Sequence, residues 1–516
     1  MILVTFVLFI SSTSIITVAA AIDILQIVPG FTNSHLLFNY RLATTLSQLG
    51  HHVKFWTQME MNMVSSGVQK PNKDIPELQI SIHFSDKMKT EGLKVFQEMM
   101  FKKNDDYDLW WTGQQFKDMR TEACEQMLQV SQQDLDNLWQ HRKPMIAIGH
   151  FHDLCPLALA RKAMIEKLIW ITHGTSLFDF AAIQMGIRTY PSYVPHPLSS
   201  YGDQMTFFER VANTLWCLST LDFVNLPLNL LYEENSMYRK MMSPNEPDLW
   251  NLSKNVPITL INGEQLLDFP RPLPLSIAFI GEIEKRDKKK ITLDQKIRAI
   301  VDSSDLGFVI FSFGTVCNTS SMPASMRKSF LEAFASFPRY TILWRFEGDF
   351  PEAKNYKNVK LFRWLPQKEL MCKFDHQKMK LLIAHGGYNS FLETAKAGVP
   401  ALLMPLFADQ FINARRAERF GIAESLDKTN LTSYNIRQKM TMVLENPRYK
   451  KKVKKLSVML EDKPISNPMA VLSHRLRISL RNPNYFSLKT RYNLNFFQHY
   501  SLDFLVLPVI LIFLLL

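Results

Sequence analysis

No G-x-G-x-x-G follows a predicted strand anywhere in the 516 residues. That removes the dinucleotide fingerprint of a nicotinamide-dependent oxidoreductase. Cysteine is scarce and scattered: Cys124, Cys155, Cys217, Cys317 and Cys372. Five is an odd number, so no disulfide framework is implied and at least one thiol stays free or pairs elsewhere. No cluster of His, Cys, Asp and Glu stands out with metal-ligand spacing. The amino-terminal apolar run, Met1 to about Ala21, has no basic residues before it, yet it ends in Ala19-Ala20-Ala21. It reads as a cleavable secretory signal. The closing apolar run, Phe504 to Leu516, is too short to span. Thirteen helical residues reach roughly 20 Å, against about 30 Å of bilayer hydrocarbon.

Acidic residues are outnumbered. The net charge of +12 is 60 basic minus 48 acidic side chains. Such a surface favours an anionic ligand or an anionic membrane face. Much of the excess lies in two runs, Lys285 to Lys290 and Lys450 to Lys455. A solvated linker and a solvated helix face account for these, so no nucleic-acid partner is expected.

What is present points to an α/β protein. The stretch from Trp364 to Gln410 is the richest in information. Leu381 to Ala384 is a short apolar run that reads as a buried strand. His385-Gly386-Gly387 forms the next loop, and glycine allows a backbone to approach a ligand closely. Asn389 or Ser390 is placed to cap a helix, and Glu393 stands at capping-box distance from Ser390. Gly398 and Pro400 stop that helix, Ala401 to Met404 is a second strand, and Phe411 to Phe420 a second helix. This β-loop-α-β-loop-α order is the unit of a parallel, doubly wound sheet.

Such sheets bind ligands at the carboxyl ends of their strands. A helix starting near Asn389 presents unpaired N–H groups that suit a phosphate, and His385 adds a donor. Glu393 is one turn into the helix, within reach of ribose hydroxyls. Trp364 offers a flat face to a base, although a core aromatic is the commoner role for tryptophan. Asp409 and Gln410 are placed to bond sugar hydroxyls from the next loop.

The stretch resembles the signature of the UDP-glycosyltransferases, particularly the animal membrane-bound, glucuronosyltransferase-like branch. Phe308 to Thr315 (FVIFSFGT), Leu266 to Leu273 (LLDFPRPL), Phe279 to Gly281 and Asn495 to Phe504 (NFFQHYSLDF) extend the resemblance over nearly the whole chain. It implies two facing Rossmann-like doubly wound domains of the GT-B type with a carboxyl-terminal hydrophobic tail. Trp364 would stack on uracil, Gln367 would bond the uracil or ribose, and Glu393 would hold the ribose hydroxyls. Thr315, His385, Gly387, Asn389 and Ser390 would cradle the diphosphate, and Asp409 and Gln410 would grip the sugar. The UDP-sugar is then a co-substrate, and neither cofactor nor metal is implied.

The amino-terminal half repeats the pattern. Ile24 to Val28, Pro29-Gly30, a helix from about Ser34 to Leu49, and Val53 to Trp56 make another β-loop-α-β. His35 opens that helix on the loop side of the sheet. A histidine near its ordinary pKa of about 6.5 suits removal of an acceptor proton. The resemblance places the family's general base at this loop. Relatives follow the strand Met145 to Ile148 with a carboxylate that orients the base. Here His150 holds that place, and Asp153 lies three residues on. Asp153 either serves as the partner of His35 or caps the helix starting near Pro156.

The expected layout is a signal at 1–21, an acceptor domain at 22–270, a linker at 271–305, and a donor domain at 306–460. A helical return at 461–500 and an incomplete membrane anchor at 504–516 follow. The Met-, Phe- and Trp-rich region Lys94 to Trp139 suits a small lipophilic acceptor. Sequons at Asn251, Asn318 and Asn430 accord with a lumenal protein of the endoplasmic reticulum membrane. A homo-oligomer is left open. The leading expectation is inverting transfer of glucose or glucuronate to a hydroxyl. The alternative is a UDP-sugar-binding protein of the same fold with lost or weak catalysis, motivated by His150.

Overall fold

The structure, a computed structural model, describes residues 21–30, 33–59, 73–89, 99–102, 106–151, 153–172, 190–197, 199–219, 232–281, 293–314, 317, 319–373, 378–462, 468–481, 494, 498 and 501–507. The signal segment, Thr315, Asn318 and most of the terminal apolar run therefore lie outside the described residues. Among the described residues no helix is long and apolar enough to cross a membrane.

The amino-terminal half comprises β1 (Asp23–Gly30), α1 (Asn33–Gln48), β2 (His52–Met59), β3 (Glu77–Ser81), α2 (Asp106–Leu128), α3 (Gln132–Trp139) and β4 (Ile146–His150). It continues through α4 (Cys155–Lys162), β5 (Leu168–Thr172), α5 (Phe207–Ser219), α6 (Tyr232–Met241), α7 (Leu249–Ser253), β6 (Thr259–Ile261) and β7 (Ile277–Phe279). The carboxyl-terminal half comprises α8 (Gln295–Asp302), β8 (Gly307–Ser312), α9 (Ala324–Ala335), β9 (Tyr340–Arg345), β10 (Val359–Phe362), α10 (Gln367–Lys373) and β11 (Met379–Ala384). Then come α11 (Tyr388–Ala397), β12 (Ala401–Leu403), α12 (Gln410–Phe420), β13 (Ala423–Ser425), α13 (Ser433–Glu445), α14 (Pro447–Glu461) and α15 (Pro468–Arg481).

Each half holds one all-parallel sheet. The first runs β3-β2-β1-β4-β5-β6-β7 and the second β10-β9-β8-β11-β12-β13. Helices cover both faces of such a sheet, so its strands read as continuous apolar runs. Alternation then sends neighbours to opposite cores. Leu25 and Ile27 join one cluster with Trp170 and Leu154, while Ile24 and Val28 join another with Leu36 and Leu46. In the second half Val309 and Phe311 face one core, Phe308 and Ile310 the other.

Strand order reverses between β1 and β4 in the first sheet, and between β8 and β11 in the second. These two switch points are where an open α/β sheet leaves a crevice beyond its strand ends.

The boundary expected at residue 270 moves. The stretch 271–305, expected as linker, holds β7 and α8, and β7 completes the first sheet beside β6. Pro272 and Pro274 suggested a linker, and a three-residue buried strand is too short to announce itself. The helical return is α15, which seats Leu472 and Leu476 in the amino-terminal core with Ile22 and Ile258. The Lys167 ammonium donates to the Leu480 carbonyl at 3.0 Å, and Arg475 donates to the Leu275 carbonyl at 2.9 Å.

Two cysteines expected to form no framework are brought together. Cys124 of α2 and Cys155 of α4 form a disulfide, while Cys217 and Cys317 are buried thiols. Two sulfurs 31 residues apart in sequence meet only because α2 packs on α4.

Candidate active site

At the second switch point, β8 ends into Gly314 and β11 ends into His385. The imidazole of His385 is wedged between two glycines. A methyl group built on Gly314 would lie 2.5 Å from Cε1, and one on Gly387 would lie 2.5 Å from Nε2. Gly314 also has φ of +71°, a backbone state that L side chains avoid. Burial and the nearby Arg345 guanidinium hold the His385 pKa down at about 4. The ring is therefore neutral at physiological pH, a hydrogen-bond donor without its own charge.

Helix α11 begins at Tyr388, with Gly387 at its N-cap and no side chain capping it. The capping box expected from Ser390 and Glu393 is not made. Gln367 claims both residues instead: its amide donates to the Glu393 carboxylate at 2.8 Å and to the Ser390 hydroxyl at 3.3 Å. A helix start left uncapped keeps its first N–H groups for an anion. Asn389 is exposed in that first turn. Tyr388 turns away, its hydroxyl accepting the Glu264 N–H at 2.9 Å from the other half of the molecule.

Trp364 is 55% exposed, with the Arg345 guanidinium 5.5 Å from the centre of its ring. An exposed indole beside a pinned cation is a stacking surface. Arg345 donates to the Gly314 carbonyl and pairs with Glu347. Sequence reasoning missed it. The signal was a charge closing an apolar strand, YTILWR, at the ligand end of the sheet.

Asp409 and Gln410 stand at the start of α12. The Asp409 carboxylate accepts from the Asn413 amide at 3.0 Å, and burial raises its pKa. Gln410 is buried, and its carbonyl oxygen accepts the N–H groups of Leu406 and Phe407 at 2.9 and 3.2 Å. It braces the loop that presents Asp409. Thr315 lies outside the described residues, next to Gly314.

At the first switch point, His35 sits in the opening turn of α1 and His150 ends β4. Their ring centroids are 6.0 Å apart. His35 keeps some accessible surface, yet the protein packed round its ring depresses its pKa to about 4. His150 is tied into a buried amide chain. Gln26 of β1 donates to the Asn39 Oδ1 at 2.5 Å, and the Asn39 amide lies 2.8 Å from the His150 Nε2. Asn39 also donates to the His35 carbonyl at 2.8 Å. Neither Gln26 nor Asn39 was marked in the sequence. The hint was a polar residue inside an otherwise apolar strand.

Asp153 follows β4 and precedes α4. Its carboxylate accepts the Cys155 N–H at 3.1 Å, in the first turn of α4. Its neighbours are Arg120 of α2 and Glu234 of α6, which pack on the sheet face opposite α1. Burial raises the pKa of Asp153, while Arg120 and the Cys155 N–H oppose the rise. Glu234 accepts the Leu154 N–H at 2.9 Å and lies 3.7 Å from Arg120. The N-cap of α4 is Leu154, with no side-chain cap bond, so the contact from Cys155 is a turn one residue ahead of the cap. Met100, in the Met-, Phe- and Trp-rich region Lys94 to Trp139, is packed with Phe101 into the core of the second half.

The chain matches the family model described as UDP-glucoronosyl and UDP-glucosyl transferase over residues 26–515. A Caenorhabditis elegans protein bearing the UDP-glucuronosyltransferase name ugt-60 is 53% identical over 490 residues, 95% of this chain and 96% of that protein. Mouse UDP-glucuronosyltransferase 1A9 is 31% identical over 354 residues, covering 68% of this chain and 64% of the mouse protein. Among solved structures, the glycosyltransferase of kitacinnamycin superposes with a TM-score of 0.58 at 15% identity, over 89% of this chain and 100% of its own. The glycosyltransferase VinC in complex with DTDP does so at 0.57 and 14% identity, again over 89% and 100%. These likenesses establish a GT-B fold of two Rossmann-like domains. With the family model spanning nearly its whole length, the chain belongs to the UDP-glucuronosyl and UDP-glucosyl transferase family and is a UDP-sugar glycosyltransferase.

Proposed function

We propose that the protein transfers glucose or glucuronate from its UDP-sugar to a hydroxyl of a small lipophilic acceptor, with inversion and without a metal. The observation that carries this reading is the pairing of the two switch points. One presents an uncapped helix start, His385 and the Gln367–Glu393 pair, and the other presents His35. The first set has the donors a diphosphate needs and the acceptor a ribose needs. The second supplies a neutral imidazole.

Transfer then runs as a single displacement. His35 takes the acceptor proton while the oxygen forms its bond to the anomeric carbon. The bond from that carbon to the β-phosphate oxygen breaks, and its electron pair leaves with UDP. The N–H groups at the start of α11 oppose the charge growing on the diphosphate. Attack from the side opposite UDP inverts the anomeric centre.

A secretory, lumenal location fits the same reading. The Cys124–Cys155 disulfide suits an oxidising compartment, and the sequon residues Asn251 and Asn430 are exposed. The test uses the purified full chain with UDP-glucose and UDP-glucuronate, a panel of hydroxyl acceptors, and excess EDTA. Transfer that survives EDTA, with product of inverted anomeric configuration, is the expected result. Absence of UDP binding by calorimetry would sink the proposal.

A further inference from the structure

The loop that presents Asp409 has a strained shape. Residues 405–409 follow β12, and Ala408 among them has φ of +52°. L side chains avoid that backbone state, and it persists where the surroundings fix it. One restraint is Gln410, whose side-chain oxygen accepts the Leu406 and Phe407 N–H groups at 2.9 and 3.2 Å. A second restraint acts on the other side of Leu406. The Lys428 ammonium donates to the Leu406 carbonyl at 2.8 Å.

Sheet topology brings Lys428 to this place. β13 pairs in parallel with β12, so the segments leaving their carboxyl ends run side by side. Lys428 lies shortly past β13, and its side chain is buried. A buried ammonium is costly unless its N–H groups find acceptors. Besides the Leu406 carbonyl it donates to the Met100 carbonyl at 3.0 Å, which belongs to the amino-terminal half. Met100 and Phe101 pack in one core with Leu406, Phe313 and Cys317. Burial pushes the Lys428 pKa down to about 8, with Asp427 opposing the fall, so the group is mostly charged at neutral pH. Bonds from a charged donor are the stronger kind. One ammonium on two backbone carbonyls, one from each half, describes a clamp and not a reacting group.

We propose that Lys428 is a positioning residue for the donor sugar: it clamps the strained loop 405–409 to segment 99–102 of the amino-terminal half and so sets where Asp409 meets the sugar. The inference rests on the sugar lying against Asp409 in the proposed transfer. The nucleotide is assigned to other residues, His385, Gln367 and Glu393. The sugar and nucleotide parts of the donor can therefore be read separately.

The experiment measures affinities for UDP, UDP-glucose and UDP-glucuronate by calorimetry on the full-length protein. Lys428→Met removes the clamp with little change of volume. Whichever UDP-sugar the protein uses is expected to bind about tenfold more weakly, the order of one charged hydrogen bond, while UDP binds as before. Asp409→Ala should show the same selective loss. Adding Lys428→Met to it should weaken binding little further, because both act through one loop. Equal weakening of UDP and UDP-sugar would mark a merely structural lysine and overturn the proposal. Losses that add in the double variant also overturn it. If Lys428→Met does not fold, Lys428→Gln, shorter and uncharged, carries the same comparison with the same deciding outcomes. UDP-sugar affinity untouched by Asp409→Ala would sink the sugar site itself. Affinity untouched by Lys428→Met, with Asp409→Ala impaired, overturns the clamp alone.

Discussion

The Arg416 guanidinium and the Asp268 carboxylate meet at 2.5 Å across the boundary between the two domains, and both are almost fully buried. Arg416 also donates to the Asn413 Oδ1 at 2.8 Å and lies over the Phe269 ring. Arg271 reaches the same carboxylate at 3.4 Å. Burial alone would raise the pKa of Asp268, but the two guanidinium groups outweigh it and hold it below the ordinary value. Removing one partner strands a buried charge. Asp268→Ala is expected to cost about 3–5 kcal/mol of unfolding free energy, read by urea titration. A loss under about 1 kcal/mol, the worth of a surface pair, would show that water reaches the seam.

The wedge that fixes His385 makes a second prediction. Gly314→Ala adds a methyl 2.5 Å from the ring and forces alanine to φ of +71°. The left-handed state alone costs about 1–2 kcal/mol. With His385 displaced as well, UDP affinity is expected to fall about tenfold or more, read by calorimetry. Unchanged affinity would remove His385 from the diphosphate site.

Glu393, bridged to Gln367, makes a third. If its carboxylate holds ribose hydroxyls, the wild type distinguishes UDP from 2′-deoxy-UDP. A hydrogen bond to a charged group contributes about 1.5–3 kcal/mol, so the discrimination should be about ten- to a hundredfold. Glu393→Ala should bind both nucleotides equally. Discrimination that survives the substitution would move the ribose contact elsewhere.

A fourth concerns acid. His35 and His385 are both held at about 4, first by burial and, for His385, also by Arg345. In the unfolded chain each titrates near 6.5. Between about pH 6.5 and 4 the unfolded state binds more protons, so stability rises with pH across that window and is lost as pH falls through it. Unfolding near pH 5 should take up as many as two extra protons from this pair. For activity, the acid limb of kcat/KM should fall near pH 4, well below an ordinary histidine. A limb near 6.5 would mean that the base is not His35.

The donor half was largely legible in the sequence because a doubly wound sheet buries both strand faces. Its strands therefore appear as bare apolar runs, and Gly398 and Gly421, both left-handed, end the helices where glycine was expected. Other features depend on contacts that no local pattern carries. Ser390 and Glu393 have capping-box spacing, but Gln367, more than twenty residues earlier, takes them both. The partner of Cys124 is fixed by helix packing, not by spacing. The amide chain behind His150 joins three elements, and asparagine in a helix or glutamine in a strand is common enough to pass unnoticed.

The return of α15 to the amino-terminal domain bears on how the cleft opens. The backbone passes between the domains once between Gly281 and Leu293, and again between Asp462 and Pro468. Two tethers constrain relative motion more than one. Rotation about the line through both crossings keeps the two crossing points in place, but it must part the buried Arg416–Asp268 pair and the Glu264 N–H to Tyr388 bond that also join the halves. Donor entry and product release are then expected to share a single swinging coordinate. A crosslink far from that line should arrest turnover, and one beside it should be tolerated.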